Sequence, residues 1–238
     1  LPGDHTTPQS FSDPANPFAT ERYYDPADQL NFYHATDSLT LTPLGGGGGG
    51  GDDDDDGGGN NNSSAGGFLI PVTGFAPNTV TALNPATRPA YDSTNLTIEI
   101  PALKVKTSIV GVQLKDGNWD VSWLQNQAGW LNGTAYPTWT GNSVLTAHAV
   151  YANGKPGVFS KLKNLSSGEY IFVYNLGYRY TYKVVSNKFV QPDDITVLQH
   201  EDKAYLTLIT CDAYDEKTGA YLKRIAVRAV LVDVREAK

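Results

Sequence analysis

Three residues of this chain have side chains and a spacing suited to nucleophilic chemistry: Cys211, His148 and Arg224. Cys211 ends the strand-like run 207–211, just before the polar residues 212–215, and His148 follows the apolar run 144–147. Arg224 opens the last strand-like run, 13 positions after the cysteine, a separation consistent with a hairpin that brings both residues to one place.

The chemistry these side chains favour is that of an activated thiol. A thiol reacts well only when ionised, and a nearby imidazolium or guanidinium favours the thiolate. A histidine also protonates a leaving amine, and an arginine stabilises the oxyanion of a tetrahedral intermediate. Each residue alone has a structural explanation: a buried core thiol, a hydrogen-bonded strand histidine and a solvated arginine. Residue types and spacing therefore leave both interpretations open.

Short β-type runs fill the chain after residue 93. Turn signals separate them at Asp116–Gly117, Asn153–Gly154 and Ser167–Gly168, and residues 158–165 have the apolar spacing of one short helix. Many short strands at regular intervals predict an all-β fold, a closed eight-stranded β-barrel with one or two short helices over residues 93–238. The predicted strand runs are 96–101, 107–114, 143–150, 170–174, 178–185, 195–198, 205–211 and 225–234.

The residues before this barrel have a different composition. Residues 45–67 are almost entirely Gly, Asp, Asn and Ser, which predicts a flexible linker. Residues 1–44 form an N-terminal extension of unknown role, expected to be largely disordered, with one candidate short helix at 21–33. Residues 68–92 connect the linker to the barrel. Residues 1–67 hold 11 acidic residues and one arginine, whereas residues 68–238 hold 14 acidic and 17 basic residues.

These counts exclude several classes of protein. The nearly neutral barrel lacks the basic stripe of a nucleic-acid-binding protein. The single cysteine excludes an intramolecular disulfide and a metal site built on several thiolates. No run of about 18 apolar residues is present, so the chain contains no spanning helix. Because the chain starts at Leu1 and contains no Met, we expect a fragment or processed form of a longer protein.

The segment Thr-Leu-Ile-Thr-Cys-Asp at 207–212, with Lys223 and Arg224 after it, closely resembles the active-site strand and loop of sortases, the cysteine transpeptidases of bacterial cell surfaces. The run 142–148 resembles the family's histidine strand, with Ala147 where glycine is more usual. Residues 98–101 resemble the first barrel strand, and 175–197 the strands that lead to the substrate loop. The resemblance covers residues 93–238, and the active-site segment is most similar to class A, while the class of the whole domain stays open.

The resemblance implies a role for each site residue. Cys211 is the expected nucleophile, His148 the general acid and base, and Arg224 the group that stabilises the oxyanion or positions substrate. Arg228 is an alternative to Arg224, because residues four apart in a strand face the same side, although Arg224 fits the family spacing better. Thr210 is expected to contact the substrate.

The implied reaction cleaves a Leu-Pro-x-Thr-Gly-like sorting signal between Thr and Gly through a thioacyl-enzyme. An amine of the peptidoglycan cross-bridge or a pilin lysine then accepts the acyl group. The implied location is extracytoplasmic, at the bacterial cell surface, with a membrane anchor expected in the full-length protein. Nucleic acid is not an expected partner.

No cofactor is predicted. Some sortases are activated by calcium bound between the loops that flank the groove, and calcium requires six to eight converging oxygens. Sequence spacing does not reveal such convergence, so we interpret the carboxylates of these loops as solvated. They are Asp116, Asp120, Asp193, Asp194, Glu201 and Asp202.

A sorting-signal-like sequence also occurs within this chain. Ile70, Pro71, Val72, Thr73 and Gly74 match the Leu-Pro-x-Thr-Gly pattern with Ile in place of Leu. One hypothesis is that they lie in the groove as a lid or pseudosubstrate that limits access to Cys211. The alternative is an ordinary linker, since a true sorting signal would be followed by an apolar stretch and a basic tail.

Two other functions compete with transpeptidation. A secreted thiol hydrolase would use water in place of the amine, and a non-catalytic surface-binding or assembly module would keep the fold without turnover. L,D-transpeptidases also combine His and Cys on a β scaffold, but their motif places Gly before the cysteine, where this chain has Thr210.

Overall fold

Strands account for most of the residues that the computed structural model describes, 70–237. The predicted extension, linker and helix at 21–33 lie outside these residues. The ten strands are β1 (Asp92–Ile100), β2 (Val105–Val112), β3 (Leu114–Lys115), β4 (Asn118–Trp119), β5 (Ala128–Leu131), β6 (Gly141–Thr146), β7 (Tyr170–Asn175), β8 (Tyr178–Val190), β9 (Ala204–Asp215) and β10 (Ala220–Glu236). Short 3₁₀ helices span Pro85–Thr87, Pro101–Leu103, Leu162–Asn164 and Ile195–Leu198.

Eight of these strands close into the predicted barrel, in the order β1-β2-β5-β6-β9-β10-β8-β7, while β3 and β4 form a separate hairpin. Two neighbouring pairs, β2 with β5 and β6 with β9, are parallel, and the other barrel pairs are antiparallel. Closure leaves no unpaired edge strand in the barrel.

The apolar core fills the barrel interior. Its largest buried side chains include Tyr180, Tyr182, Phe159, Leu145 and Leu208. A second apolar cluster lies outside this core and includes Val112, Trp119, Leu131, Val144 and Ile209. This second cluster matters for the site because it also contains Ile70.

Two strand assignments from the sequence differ from the structure. The run 195–198 was predicted as a strand and forms a 3₁₀ helix, because the Asp194 carboxylate accepts a hydrogen bond from the Thr196 N–H and caps it. Sequence analysis missed β5, whose four residues Ala-Gly-Trp-Leu are too few to give a strand pattern. The helix predicted over 158–165 is confined to Leu162–Asn164.

The connecting segment runs beside the loop that follows β6. The Phe75 and Asn78 N–H groups donate to the carbonyls of Val150 and Gly154, at 3.1 and 3.0 Å. Further along, the Tyr91 hydroxyl accepts a hydrogen bond from the Trp123 N–H. These bonds attach residues 70–91 to one end of the barrel. Within the described residues, no helix is long and apolar enough to cross a membrane.

Candidate active site

Strands β9 and β10 place Cys211 and Arg224 directly opposite each other. The two residues are Cα partners in the antiparallel ladder and are only 2% and 3% exposed. The connecting turn is fixed by Asp215, whose carboxylate accepts from the Lys217 N–H and the Thr218 hydroxyl at 3.0 and 2.9 Å. The hairpin expected from the 13-residue separation is therefore present.

The parallel pairing of β6 with β9 brings His148 to the same end of the barrel. Thr146 is paired with Ile209, so His148 and Cys211 each lie two residues beyond a paired position. The Thr210 hydroxyl donates to the Ala147 carbonyl at 2.8 Å, which joins the two strand ends next to both side chains. The Thr210 hydroxyl, which the sequence predicts to contact substrate, therefore binds the backbone next to His148.

Thr73 lies against Cys211. Its N–H donates to the cysteine Sγ at 3.1 Å, and its hydroxyl accepts from the Cys211 N–H at 3.0 Å. The Thr73 carbonyl accepts from the Ala149 N–H at 2.7 Å, on the histidine side of the site. Thr73 therefore connects the cysteine strand to the residue after His148.

Ile70, Pro71 and Thr73 are buried against the barrel, and only Val72 of this stretch is exposed. Ile70 is 1% exposed within the second apolar cluster, whereas Val72 is 60% exposed. Gly74 faces the Tyr221 ring so closely that a Cβ there would lie 2.6 Å from a ring carbon. The Tyr221 hydroxyl donates to the Phe75 carbonyl at 2.9 Å, and the Phe75 ring lies 5.2 Å from the His148 ring, centre to centre.

Burial keeps the Cys211 thiol and the His148 imidazole in their neutral forms. It raises the pKa of the Cys211 thiol, an effect that the Arg224 charge and hydrogen bonds from Thr73 partly oppose. Burial also lowers the pKa of His148, while the nearby backbone carbonyls of Ser122, Thr73 and Val121 act in the opposite direction. The pKa of Tyr221 is raised to about 12, mainly by burial and then by the proximity of Cys211.

Arg224 is held by its own strand. Its Nη1 donates to the carbonyls of Tyr221 and Lys223 at 3.3 and 3.1 Å, while its Nε is buried without an aligned partner among the described residues. With Ile70, Pro71 and Val72 it lines a pocket of about 200 Å³. The buried Arg224 guanidinium therefore lies beside residues 70–72.

Arg228 lies elsewhere. It is ion-paired with Glu201 and stacks over the Tyr205 ring at 4.2 Å. Four residues of strand separate it from Arg224, a distance of about 13 Å. The structure thus brings Cys211, His148, Thr210 and Arg224 together and leaves Arg228 outside this group.

The carboxylates considered for calcium do not form a cluster within residues 70–237, where no group of three or more His, Cys, Asp or Glu side chains converges. Asp120 instead accepts hydrogen bonds from Ser122, Asp194 from Thr196, and Glu201 pairs with Arg228.

Sequence analysis missed Tyr221 and Phe75, which contact Gly74 and His148. Tyr221 belongs to β10 and Phe75 to the connecting segment, and nothing in their local sequence distinguishes them from other aromatic residues. Gly157 was also missed, although it packs on the His148 backbone.

Comparison with known proteins identifies the family. The Sortase domain model matches residues 98–232, more than half of the chain, so this chain belongs to the sortase family. Sortase A of Staphylococcus aureus (strain NCTC 8325 / PS 47) is 41% identical over 69 residues, 28% of this chain and 33% of that protein. The putative sortase YwpE of Bacillus subtilis (strain 168) is 31% identical over 93 residues, 39% of this chain and 85% of that protein.

The fold matches solved sortases as well. Sortase A from Corynebacterium diphtheriae has a TM-score of 0.51 at 28% identity, over 60% of this chain and 62% of that chain. Its lid mutant also gives a TM-score of 0.51, at 29% identity, over 63% of this chain and 75% of that chain. The sequence match to S. aureus sortase A spans about a third of that enzyme's length.

Gly157 is expected to be required for the position of His148. In Gly157→Ala, the new Cβ would lie 2.7 Å from the His148 carbonyl carbon, so the backbone must shift. We expect a loss of about 2 kcal/mol or more in the free energy of unfolding, measured by urea denaturation. Gly168→Ala is the control. It adds a methyl group in open space at a φ of +93° and should cost only about 1–2 kcal/mol. Equal stability of Gly157→Ala and the unsubstituted protein would contradict the prediction.

Alkylation should report the raised pKa of Cys211. Because the thiolate reacts and burial favours the thiol, the iodoacetamide rate should rise with pH through a midpoint above the ordinary value of about 8.5. The rate is measured by intact mass from pH 6 to 10, and the single cysteine makes the assignment unambiguous. The urea-unfolded chain, which should titrate near the ordinary value, is the control. A native midpoint at or below that of the unfolded chain would overturn the interpretation.

Proposed function

We propose that this protein is a cysteine transpeptidase that cleaves a Leu-Pro-x-Thr-Gly-like sorting signal between Thr and Gly. One observation carries the proposal: the threonine of an Ile-Pro-Val-Thr-Gly segment is hydrogen-bonded to the Cys211 thiol and to the Cys211 backbone N–H. Family membership and the cross-strand pairing of Cys211 with Arg224 support it. Family membership also favours an extracytoplasmic location at a bacterial cell surface.

In the first half of the proposed reaction, the Cys211 Sγ attacks the carbonyl carbon of the substrate threonine. A C–S bond forms, and the thiol proton passes to His148. The C–N bond to glycine then breaks, and His148 gives this proton to the leaving amine. Arg224, whose charge already favours the thiolate, stabilises the oxyanion that develops on the threonine carbonyl.

In the second half, an amine attacks the thioacyl carbon. A C–N bond forms, the C–S bond breaks, and the amine proton moves to His148. Neutral His148 is suited to accept it, because burial lowers its pKa and keeps the ring unprotonated at neutral pH. A proton then returns to the sulfur and regenerates the enzyme. The proposed acceptor is a peptidoglycan cross-bridge amine or a pilin lysine.

Acylation by a sorting-signal peptide tests this function and separates the two arginines. We expect a Cys211-dependent mass adduct that oligoglycine discharges into ligated peptide, and no adduct in Cys211→Ala. In Arg224→Ala the oxyanion loses one stabilising contact. We therefore expect acylation to be about 100-fold slower than in the unsubstituted protein. Arg228→Ala is the matched control and should stay within about threefold, because Arg228 is ion-paired with Glu201 and lies about 13 Å along the strand from Arg224.

Each alternative predicts a different outcome of the same experiment. A thiol hydrolase would form the adduct and release free acid with no ligated peptide even at high oligoglycine. A binding module would form no adduct in any variant, including a variant whose residues 70–74 no longer cover Cys211. Equal effects of the two arginine substitutions would contradict the role proposed for Arg224.

We also propose that residues 70–75 act as a pseudosubstrate lid. Three positions of the segment lie as a bound sorting signal would require: Ile70 is buried in an apolar cluster, Val72 is exposed, and Thr73 contacts the cysteine. A substrate bound in the same register would require the same space. The C. diphtheriae sortase A whose lid mutant is similar to this chain is a precedent for a lid.

The geometry predicts that the lid itself resists cleavage. The Sγ receives the Thr73 N–H, which is two bonds away from the carbonyl carbon that would be attacked. The Thr73 carbonyl oxygen is bound by the Ala149 N–H, not by Arg224. The lid thus occupies the substrate position in an unproductive orientation.

Release of the lid should raise activity. Ile70→Asp places a carboxylate in the apolar cluster, and burial of Ile70 contributes about 1.5–3 kcal/mol, so peptide turnover should rise about tenfold or more. Val72→Asp introduces the same charge two residues away at an exposed position and is the matched control. Turnover is measured with a quenched fluorescent peptide. Equal rates in the two variants would refute the lid.

A point substitution tests the lid more specifically than a truncation does. Removal of residues 1–92 would also delete Tyr91, which holds the Trp123 backbone, and the first residue of β1. A change in rate after that truncation would therefore not be attributable to the lid alone.

A further inference from the structure

The ring of His148 is buried without an aligned hydrogen bond. The residue is only 1% exposed, and neither ring nitrogen has an aligned partner among the described residues. Besides burial, the groups that act on its pKa are the backbone carbonyls of Ser122, Thr73 and Val121, with Ser122 first in effect. The proposed mechanism uses one ring nitrogen to take and give protons, which requires an acceptor that holds the other nitrogen. These carbonyls are the groups placed to be that acceptor.

Two of the three carbonyls belong to the short loop that follows β4, at Val121 and Ser122. Ser122 and His148 line one pocket of about 450 Å³, so the loop and the ring face the same space. The third carbonyl, of Thr73, belongs to the proposed lid and already accepts the Ala149 N–H at 2.7 Å. A lid that moves away to admit substrate takes this carbonyl with it. The carbonyls of the β4 loop then remain beside the ring.

Asp120 holds Ser122 at two points. Its carboxylate accepts a hydrogen bond from the Ser122 N–H at 3.0 Å and another from the Ser122 hydroxyl at 2.6 Å. An aspartate that binds the backbone two residues ahead in this way forms a turn, and the turn sets the direction of the intervening peptide groups. Asp120 therefore controls where the Ser122 carbonyl points.

The residues after Ser122 are held as well. The Trp123 N–H donates to the Tyr91 hydroxyl at 3.1 Å, and the Leu124 N–H donates to the Val121 carbonyl at 3.2 Å. The Leu124 side chain is fully buried in the second apolar cluster. The loop is therefore anchored on both sides of Ser122, and Asp120 provides the anchor that acts on Ser122 itself.

The need for an acceptor is greatest while the thiol proton is on His148. Both ring nitrogens then carry hydrogen, and the positive ring is buried. A buried charge without a hydrogen-bond partner is costly, whereas a carbonyl oxygen directed at the second N–H stabilises it and fixes the ring. The titratable groups around the ring are Cys211, which is the reaction partner, and Tyr151, whose ring centre lies 6.2 Å away. Arg224 lies across the ladder from Cys211, on β10.

We infer that Asp120 is a positioning residue for His148: it fixes the Ser122 carbonyl as the acceptor that orients the imidazole during proton transfer. The inference rests on the proposed transpeptidase function and adds a residue to it. Asp120 acts through the shape of the loop, because its carboxylate binds Ser122 and not the imidazole. An amide oxygen in the same place should therefore serve as well as a carboxylate.

The pKa of His148 tests the inference in the resting protein. In Asp120→Ala the carbonyl that raises this pKa loses its fixed direction, so the pKa should fall below that of the unsubstituted protein. Asp120→Asn keeps an oxygen that accepts from Ser122 and should restore the original midpoint. The ring C–H resonances of the four histidines are followed by NMR from pH 4 to 9, and His148→Gln assigns the signal.

Asp194→Ala is the matched control. The Asp194 carboxylate also accepts from the N–H and the hydroxyl of the residue two positions ahead, Thr196, so this substitution removes the same kind of turn elsewhere. It should leave the His148 midpoint unchanged. An unchanged midpoint in Asp120→Ala, an equal shift in Asp194→Ala, or a failure of Asp120→Asn to restore the midpoint would overturn the inference.

The rate of acylation by a sorting-signal peptide gives the second measurement. A misplacement of about 1 Å costs up to about 100-fold in rate, so the maximal rate should fall about tenfold to 100-fold in Asp120→Ala. The half-saturating peptide concentration should stay within about twofold, and Asp120→Asn should keep the original rate. The acid limb of the pH–rate profile should move to lower pH together with the NMR midpoint.

The same profile separates positioning from a loss of stability. Urea denaturation of each variant gives the folded fraction, and rates are expressed per folded protein. A slower rate that only follows the folded fraction, with the acid limb in place, would overturn the role of Asp120. If the unsubstituted protein forms no thioacyl adduct, the proposed function fails, and the NMR titration still decides whether Asp120 acts on His148.

Discussion

The arrangement of the site depends on the pairing of one strand, β9, with two different neighbours. Its antiparallel ladder with β10 sets Cys211 opposite Arg224, and its parallel ladder with β6 brings the end of the histidine strand to the same end of the barrel. The Thr210 hydroxyl joins β9 to the Ala147 carbonyl. A one-residue slip in either ladder would turn the corresponding side chain to the other face. The closed barrel prevents such a slip, because each barrel strand is held on both sides.

Burial determines the protonation states of Cys211 and His148. It raises the pKa of the thiol and lowers that of the imidazole, so both groups rest neutral. Arg224 is the charged group that opposes this effect at the sulfur, and it is itself buried. Part of the burial comes from Thr73 and Phe75, which belong to the connecting segment and not to the barrel. Under the proposed mechanism, the segment that covers the site therefore also suppresses its reactivity.

The connecting segment covers Cys211 and continues past His148. Its apolar end lies in the cluster with Trp119 and Val144, and its other end reaches the His148 ring through Phe75. Tyr221 lies between the two ends of this segment, against Gly74 and the Phe75 carbonyl, and holds its backbone in place.

The sequence by itself determined the barrel class, most strand positions and the family, and it singled out Cys211, His148 and Arg224 as candidate site residues. Strand periodicity and a motif within one hairpin are local properties, and local sequence is sufficient for them. Sequence prediction failed at 195–198, where a capping aspartate outweighs three apolar residues, and at the short strand β5. It suggested residues 70–74 as a lid, but only the tertiary structure decided that Thr73 contacts a cysteine 138 positions away. The tertiary structure alone also set the direction of the pKa shifts, the separation of Arg228 from the site, and the placing of residues 121–122 beside His148. These properties depend on burial and on contacts between distant segments, which closure of the barrel creates and no local pattern encodes.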